Sequence, residues 1–233
     1  MSDDLPFNLP PVDPAASADI PSQSLSPELL AGLLADGDDE LAAWTLRHAM
    51  DESSRAEVYD GLLREAMGLV GERWATGRWS IAEEHLASRT LLRTLERLRP
   101  HLGPDSRIGS LAVLAGVEGE QHMIGLACLE QLLAEDGWAV ANLGADLPSV
   151  DLGSFVARND VALVAISAMD GGRVGTLADA VLAVRDAAGD RVVGVVVGGG
   201  ITSVPGLGDT VAADGVARSL AEAVALARAY RPG

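Results

Sequence analysis

Two periodicities divide the chain. From Ser26 to about Arg99 apolar residues return every three or four positions, the spacing that lines one face of an α-helix. From about Arg107 onward they gather in short runs rich in β-branched residues, as buried strands do. In the first region Ser26 followed by Pro27 marks a helix start, and Leu29, Leu30, Leu33 and Leu34 form its stripe before Gly37. A second helix is expected over about residues 39–50. The next two are announced by Ser54 with Glu57 and Ser80 with Glu83, capping boxes in which each side chain satisfies an orphan backbone N–H of the first turn. Val58, Leu62, Ala66 and Val70 share one face of the third helix; Leu91, Leu95 and Leu98 share one face of the fourth, which Pro100 ends. Residues 26–99 therefore read as a four-helix bundle. Residues 99–107, with Pro100, Gly103 and Pro104, read as a linker.

In the remainder, 107–233, strands are expected at 108–117, 138–143, 161–166 and 192–197, with a short fifth near 214–216. Helical patterns at 122–135, 149–158, 174–188 and 217–230 separate or succeed them. Such alternation gives right-handed crossovers and a five-stranded parallel, doubly wound sheet of the Rossmann or flavodoxin-like kind, covered on both faces. The expected fold is thus a helical-bundle cap and then an α/β domain. Residues 1–25 are rich in Pro, Ser and Asp, and the first basic residue is Arg47, so they read as a flexible acidic tail.

Composition narrows the chemistry. A chain of 233 residues, 48% hydrophobic, buries one or two ordinary cores and excludes a large multidomain enzyme. No apolar run approaches the roughly 20 residues that span a bilayer. Asp3 and Asp4 stand where a secretory signal would carry positive charge, so a cytoplasmic protein without membrane contact is expected. The net charge is -17, and all 17 basic residues are arginine. Without lysine there is no P-loop, no Schiff base and no lysine general base, and a response-regulator-like domain would lack its required lysine. So acidic a surface repels phosphate backbones, and no direct nucleic-acid binding is expected. The lone Cys128 excludes an internal disulfide framework and reads as a small buried hydrophobe.

In open parallel sheets ligands bind beyond the carboxyl ends of the strands. After strand one stands Gly119-Glu120-Gln121-His122-Met123-Ile124-Gly125, after strand two Gly144-Ala145-Asp146, after strand three Ser167-Ala168-Met169, and after strand four Gly198-Gly199-Gly200-Ile201. An imidazole there, with a carboxylate two residues earlier, suits a metal ligand whose second ring nitrogen is held by an acid. One histidine cannot hold a free ion, since zinc or iron wants three or four protein ligands. The metal would have to arrive inside a macrocycle that leaves one axial position to the protein.

Glu120-x-His122-x-x-Gly125, then Ser167-x-Met169, then Gly198-Gly199 resembles the Asp-x-His-x-x-Gly, Ser-x-Leu, Gly-Gly pattern of base-off, His-on cobalamin-binding domains. Glu120 replaces Asp and Met169 replaces Leu, both mild changes. The resemblance implies His122 as the lower cobalt ligand, Glu120 as its orienting acid, and Ser167 with Gly198, Gly199 and Gly200 as the lining of a slot for the displaced dimethylbenzimidazole tail. In the bundle Trp74, then Ile81, then Glu84-His85 resembles the set that covers the upper cobalamin face in light-sensing cobalamin regulators of the CarH type. Trp74 would shield a cobalt–carbon bond beside an adenosyl group, and Glu84 would accept hydrogen bonds from its hydroxyls. Ala75 stands where those regulators carry a second histidine, so His85, His48 or water remains for the upper axial site after light, and the acidic tail stands where they carry a DNA-binding module.

The resemblance implies a non-enzymatic photoreceptor: adenosylcobalamin between cap and sheet, light cleavage of its cobalt–carbon bond, and a changed association as a homodimer or homotetramer or with a signalling protein. A second tetrapyrrole such as biliverdin accompanies cobalamin in some related proteins. The alternative is a corrinoid carrier of a methyltransferase system, although those carriers show a run resembling Asp-x-His-Asp-Ile-Gly-Lys-Asn where this chain continues Met123-Ile124-Gly125-Leu126-Ala127.

Overall fold

A computed structural model describes residues 25–99 and 109–231. The expected tail, apart from Leu25, and the expected linker, apart from Arg99, lie outside the described residues.

The bundle comprises α1 (Pro27–Ala35), α2 (Asp39–Ala49), a third helix in two pieces, α3 (Arg55–Val58) and α4 (Arg64–Ala75), and α5 (Ile81–Arg97). Ser26 caps α1 through its hydroxyl, and both capping boxes form: Ser54 and Ser80 each exchange hydrogen bonds with the glutamate three residues on. Between α3 and α4 lies one element that the periodicity does not show, a π-turn over Tyr59–Leu63. Its wider ring takes in one extra residue and rotates the face that α4 presents. Tyr59 and Leu63 therefore enter the core beside Val58, Ala66 and Val70, while Leu62 of the expected stripe is only partly buried.

The α/β domain runs β1 (Leu111–Gly116), α6 (Ile124–Glu135), β2 (Ala139–Asn142), α7 (Ser149–Arg158), β3 (Val161–Ser167), α8 (Val174–Ala188), β4 (Gly194–Gly198), α9 (Leu207–Val211), β5 (Gly215–Val216) and α10 (Leu220–Ala227). All pairings are parallel in the order β2-β1-β3-β4-β5. This is the flavodoxin-like arrangement, with the direction of winding reversing between β1 and β3. The short helix α9 and two single 3-10 turns, Gly171–Arg173 and Gly200–Ser203, are additions to the sequence expectation. They carry too few residues to show a period.

Alternation along the strands separates two cores. Ala112, Leu114, Leu163, Ala165 and Val196 face α6, α10 and the bundle in one continuous cluster. Val113, Ala115, Val164, Ile166, Val195 and Val197 face α7, α8 and α9 in the other. The bundle is thus docked on the α6 and α10 face of the sheet. Its polar seam centres on Gln131 of α6, only 3% exposed. The Gln131 amide oxygen accepts from the hydroxyl of Tyr59 at 2.7 Å and from Arg55 at 3.1 Å, and its NH2 donates to the carbonyl of Leu95. Arg55 also donates to the Leu98 carbonyl and to Glu135, and Asp60 on the π-turn accepts from the backbone N–H groups of Leu220 and Ala221. The polar side chains of this seam are thereby partnered, the condition under which burial is tolerated.

Replacing Gln131 by Leu keeps the volume, takes from the buried Tyr59 hydroxyl its acceptor and from Arg55 one of its acceptors, and leaves the Leu95 carbonyl only the Leu98 N–H. We expect a loss of about 2–3 kcal/mol in urea unfolding, against about 1 kcal/mol for Tyr59→Phe, which removes donor and hydroxyl together.

Candidate functional site

The β1–α6 loop leaves the sheet at the switch point and is held from three sides. From the β2 side, the Asp146 carboxylate accepts the Gly119 N–H at 2.6 Å, and Asp146 adopts a left-handed φ of 56° to do so. From the β3 side, the Glu120 carboxylate accepts the Met169 N–H at 2.7 Å, and Arg173 donates to the Glu118 carbonyl at 3.1 Å. From within, the second oxygen of Glu120 accepts the backbone N–H groups of Gln121 and His122.

Glu120 is the buried member of the site, 2% exposed, whereas the His122 side chain is 68% exposed. The two meet through His122 Nδ1 and Glu120 Oε1 at 2.5 Å. With Nδ1 engaged, Nε2 is the nitrogen left to bind a metal. Burial pushes the Glu120 carboxyl up, but the hydrogen bonds from the backbone and ring of His122 and from the Met169 N–H outweigh it and hold the group below the usual glutamate value of 4.5. Glu120 is therefore an anion, able to accept from an imidazole N–H and to make that imidazole a better donor to a metal.

Ser167 ends β3 beside Gly198, and the backbone of Ala168 donates to the Gly198 carbonyl and accepts from the Ile201 N–H. The glycine run answers to this close approach. Gly199 has φ of 92°, and a Cβ there would lie 2.3 Å from the Ala168 carbonyl oxygen; at Gly200 it would lie 2.5 Å from that of Met169. Gly125 is different: a Cβ in this first turn of α6 meets nothing within 4 Å. Its glycine is not required by any described protein neighbour. Met169 presents its side chain 41% exposed.

The remaining expected residues cluster at the α4–α5 corner. Gly77, with φ of 70°, makes the turn, and the Trp79 N–H donates back to the Arg73 carbonyl while the Arg73 guanidinium lies over the indole. Trp74 is 51% exposed and Ile81 59% exposed. Glu84 accepts from the Ser88 hydroxyl and pairs with Nδ1 of His85. Trp74 has no ring contact with another aromatic among the described residues. Trp44 stacks on His48 instead, 5.1 Å between centroids. No described contact joins this corner to His122.

Two site residues carry no sequence signal of their own. Asp146 stands out only by its place after strand two, and Arg173 ends a 3-10 turn that no periodicity marks. No group of three or more His, Cys, Asp or Glu side chains able to hold a metal ion occurs among the described residues. The donor set, one acid-held imidazole three residues before a glycine whose missing Cβ faces open space, fits a metal that brings its own equatorial ligands.

Fold and site together define a class: a doubly wound domain that presents a single exposed, acid-held histidine at its switch point, with a helical bundle docked on one face. The B12 binding domain family model matches residues 110–227 and a second B12 binding domain model matches residues 28–99, so the chain belongs to the cobalamin-binding proteins. It is similar to the HTH-type transcriptional repressor CarH of Myxococcus xanthus, 35% identical over 100 residues that cover 43% of this chain and 33% of that protein. It is also similar to methionine synthase of Mycobacterium tuberculosis, 27% identical over 124 residues that cover 52% of this chain and 10% of that protein. The chain thus spans a third or less of these relatives. Among solved structures, the monomethylamine corrinoid protein of Methanosarcina barkeri shares the fold over 89% of this chain and 98% of its own, with a TM-score of 0.71 at 18% identity.

Gly199→Ala should lower the stability of the ligand-free protein by at least the roughly 1–3 kcal/mol of a strained backbone position, read by urea unfolding. Gly125→Ala should leave ligand-free stability within about 0.5 kcal/mol and weaken cobalamin binding, read by spectrophotometric titration.

Proposed function

We propose that the chain is a cobalamin-dependent light sensor: it holds adenosylcobalamin with His122 below and the α4–α5 corner above, catalyses no turnover of its own, and signals through its association with itself, as dimer or tetramer, or with another protein. The observation that carries this reading is the corner itself. Two large apolar side chains, Trp74 and Ile81, stand more than half exposed beside a paired Glu84 and His85. Such a patch marks a surface meant to be covered. An indole and an isoleucine offer dispersion contact to an adenosyl group, and the Glu84 carboxylate, steadied by Ser88, offers acceptors to ribose hydroxyls.

When bound, the group supplies a light-labile cobalt–carbon bond. The chain's part is to hold His122 in one tautomer through Glu120, to exclude water at the corner through Trp74, and to respond through the bundle when the covering group is lost. His85 is the upper-face histidine in this reading, because it shares the corner with Trp74, whereas His48 lies in the last turn of α2, stacked on Trp44. For a second tetrapyrrole such as a bilin the chain has no reachable thiol: the single one, Cys128, is 1% exposed, and burial pushes its pKa up, so it offers no attachment point. No described helix is long and apolar enough to cross a membrane.

A second reading, a corrinoid carrier serving methyltransferases, is favoured by the shared architecture with the monomethylamine corrinoid protein along nearly all of its length. One experiment separates the two. The protein loaded with adenosylcobalamin in the dark should bleach under green light and change its elution volume in size-exclusion chromatography, and Trp74→Ala should discriminate less between adenosyl and hydroxo forms in binding. A complex indifferent to illumination sinks the sensor, and retention of a methyl form with transfer to a thiol acceptor supports the carrier.

A further inference from the structure

The guanidinium of Arg173 reaches from one loop of the site into another. Arg173 ends the 3-10 turn Gly171–Arg173, which Asp170 starts by accepting the Gly172 N–H. From there the side chain crosses to the β1–α6 loop. Its Nη1 donates to the Glu118 carbonyl. Its Nε lies 3.7 Å from Glu120 Oε2 and 3.4 Å from an Asp170 oxygen. That Nε is shut away from solvent and has no hydrogen-bond partner among the described atoms. The fit against the loop is close: a Cβ on Gly119, the residue before Glu120, would fall 2.4 Å from Nη1. Gly119, with φ of 80°, leaves the space the guanidinium fills. Among the described residues Arg173 is the arginine paired with Glu120, the other ionisable partner of that carboxylate being His122 itself.

We infer that Arg173 is a positioning residue for the cobalt ligand, holding the Glu118–Glu120 segment and the Glu120 carboxylate in the one orientation from which His122 is presented. The inference rests on His122 as the lower ligand and is independent of the choice between sensor and carrier. A buried carboxylate needs its oxygens committed; Oε1 serves His122, and Oε2 accepts the Met169 N–H while the guanidinium faces it at 3.7 Å as the balancing charge. Without the guanidinium the Glu118 carbonyl loses its tie to the Gly171–Arg173 turn and Oε2 loses its facing charge, so the loop that presents His122 is less firmly placed. Arginine suits the task because its planar fork reaches a carbonyl and two carboxylates at once, whereas a lysine ammonium is a point charge.

The test uses cob(II)alamin added anaerobically to the full chain labelled with 15N-histidine, with electron paramagnetic resonance distinguishing the two-line splitting of a protein 15N donor from the three-line splitting of the cofactor's own 14N base. In the wild type the spectrum should carry the two-line splitting, absent in His122→Ala. Arg173→Ala should lose that splitting in a major fraction of molecules and bind roughly tenfold more weakly, while Arg173→Lys keeps an intermediate share. In the ligand-free protein, amide hydrogen exchange over residues 118–122 should accelerate in Arg173→Ala while the melting temperature barely moves. A splitting and affinity equal to wild type in Arg173→Ala, or in Arg173→Lys should the alanine variant not fold, overturn the inference. Absence of the two-line 15N splitting in the wild type, with His122→Ala binding equally well, overturns the His122 ligand instead.

Discussion

A single buried carboxylate organises the ligand-binding end of this protein. Glu120 lies at the switch point of a parallel sheet, shut away from water, and an anion so placed is tolerated only if its lone pairs are used. Its partners come from different parts of the chain: its own loop through Gln121 and His122, the β3 loop through Met169, and the β3–α8 turn through Arg173. Satisfying one group therefore fixes two loops against each other and leaves one imidazole standing exposed above them. The glycines serve the same end. Gly199 and Gly200 let the β4 loop close on the β3 loop, and Gly119 lets the guanidinium sit against the β1 loop.

The same helix that begins beside His122 carries the seam to the bundle. α6 has Ile124 in its first turn and Gln131 and Glu135 two and three turns on, where they meet Tyr59 and Arg55. The seam is polar at its centre and apolar around it, and the apolar cluster runs without a break from Leu30 and Leu95 of the bundle through Leu129 and Leu133 to Leu114 and Val196 of the sheet. Bundle and sheet are thus two parts of one packed body, and a packed interior changes between discrete arrangements rather than by continuous deformation. Asp60 adds a second tie at the π-turn, capping the start of α10 with its carboxylate.

Much of this is legible from residue spacing because the signals are local. Both capping boxes, the Ser26 cap, the short β-branched runs and the four loops that end at the sheet's carboxyl edge follow from which residue types can satisfy an orphan amide or fill a sheet buried on both faces. The fifth strand, two residues long, is placed in the sequence only by the run before α10. The hidden features depend on contacts between distant segments. The π-turn is invisible to a 3.6-residue period, since its purpose, bringing Tyr59 to Gln131, is written 72 residues away. Arg173 looks like any arginine after a glycine pair; its meaning comes from Glu118 and Glu120, about fifty residues earlier. In the sequence the glycine run points toward a ligand, and the structure shows that backbone approach within the protein already requires two of its members.

In the proposed reading the site has two sides, and they differ in kind. Below, His122 is fixed by a network whose key member is buried and whose bonds span several loops, so that any rearrangement must break many of them together. In the proposed roof, Trp74, Ile81 and His85 stand at the corner of two helices, whose ties are local: the turn at Gly77, the Trp79 bond to Arg73, the Arg78–Glu72 pair and the Ser80 capping box. A ligand that bridges the two meets a rigid floor and an adaptable roof. In the proposed reading, gain or loss of an upper group acts on a corner whose ties are local, and that corner belongs to the bundle.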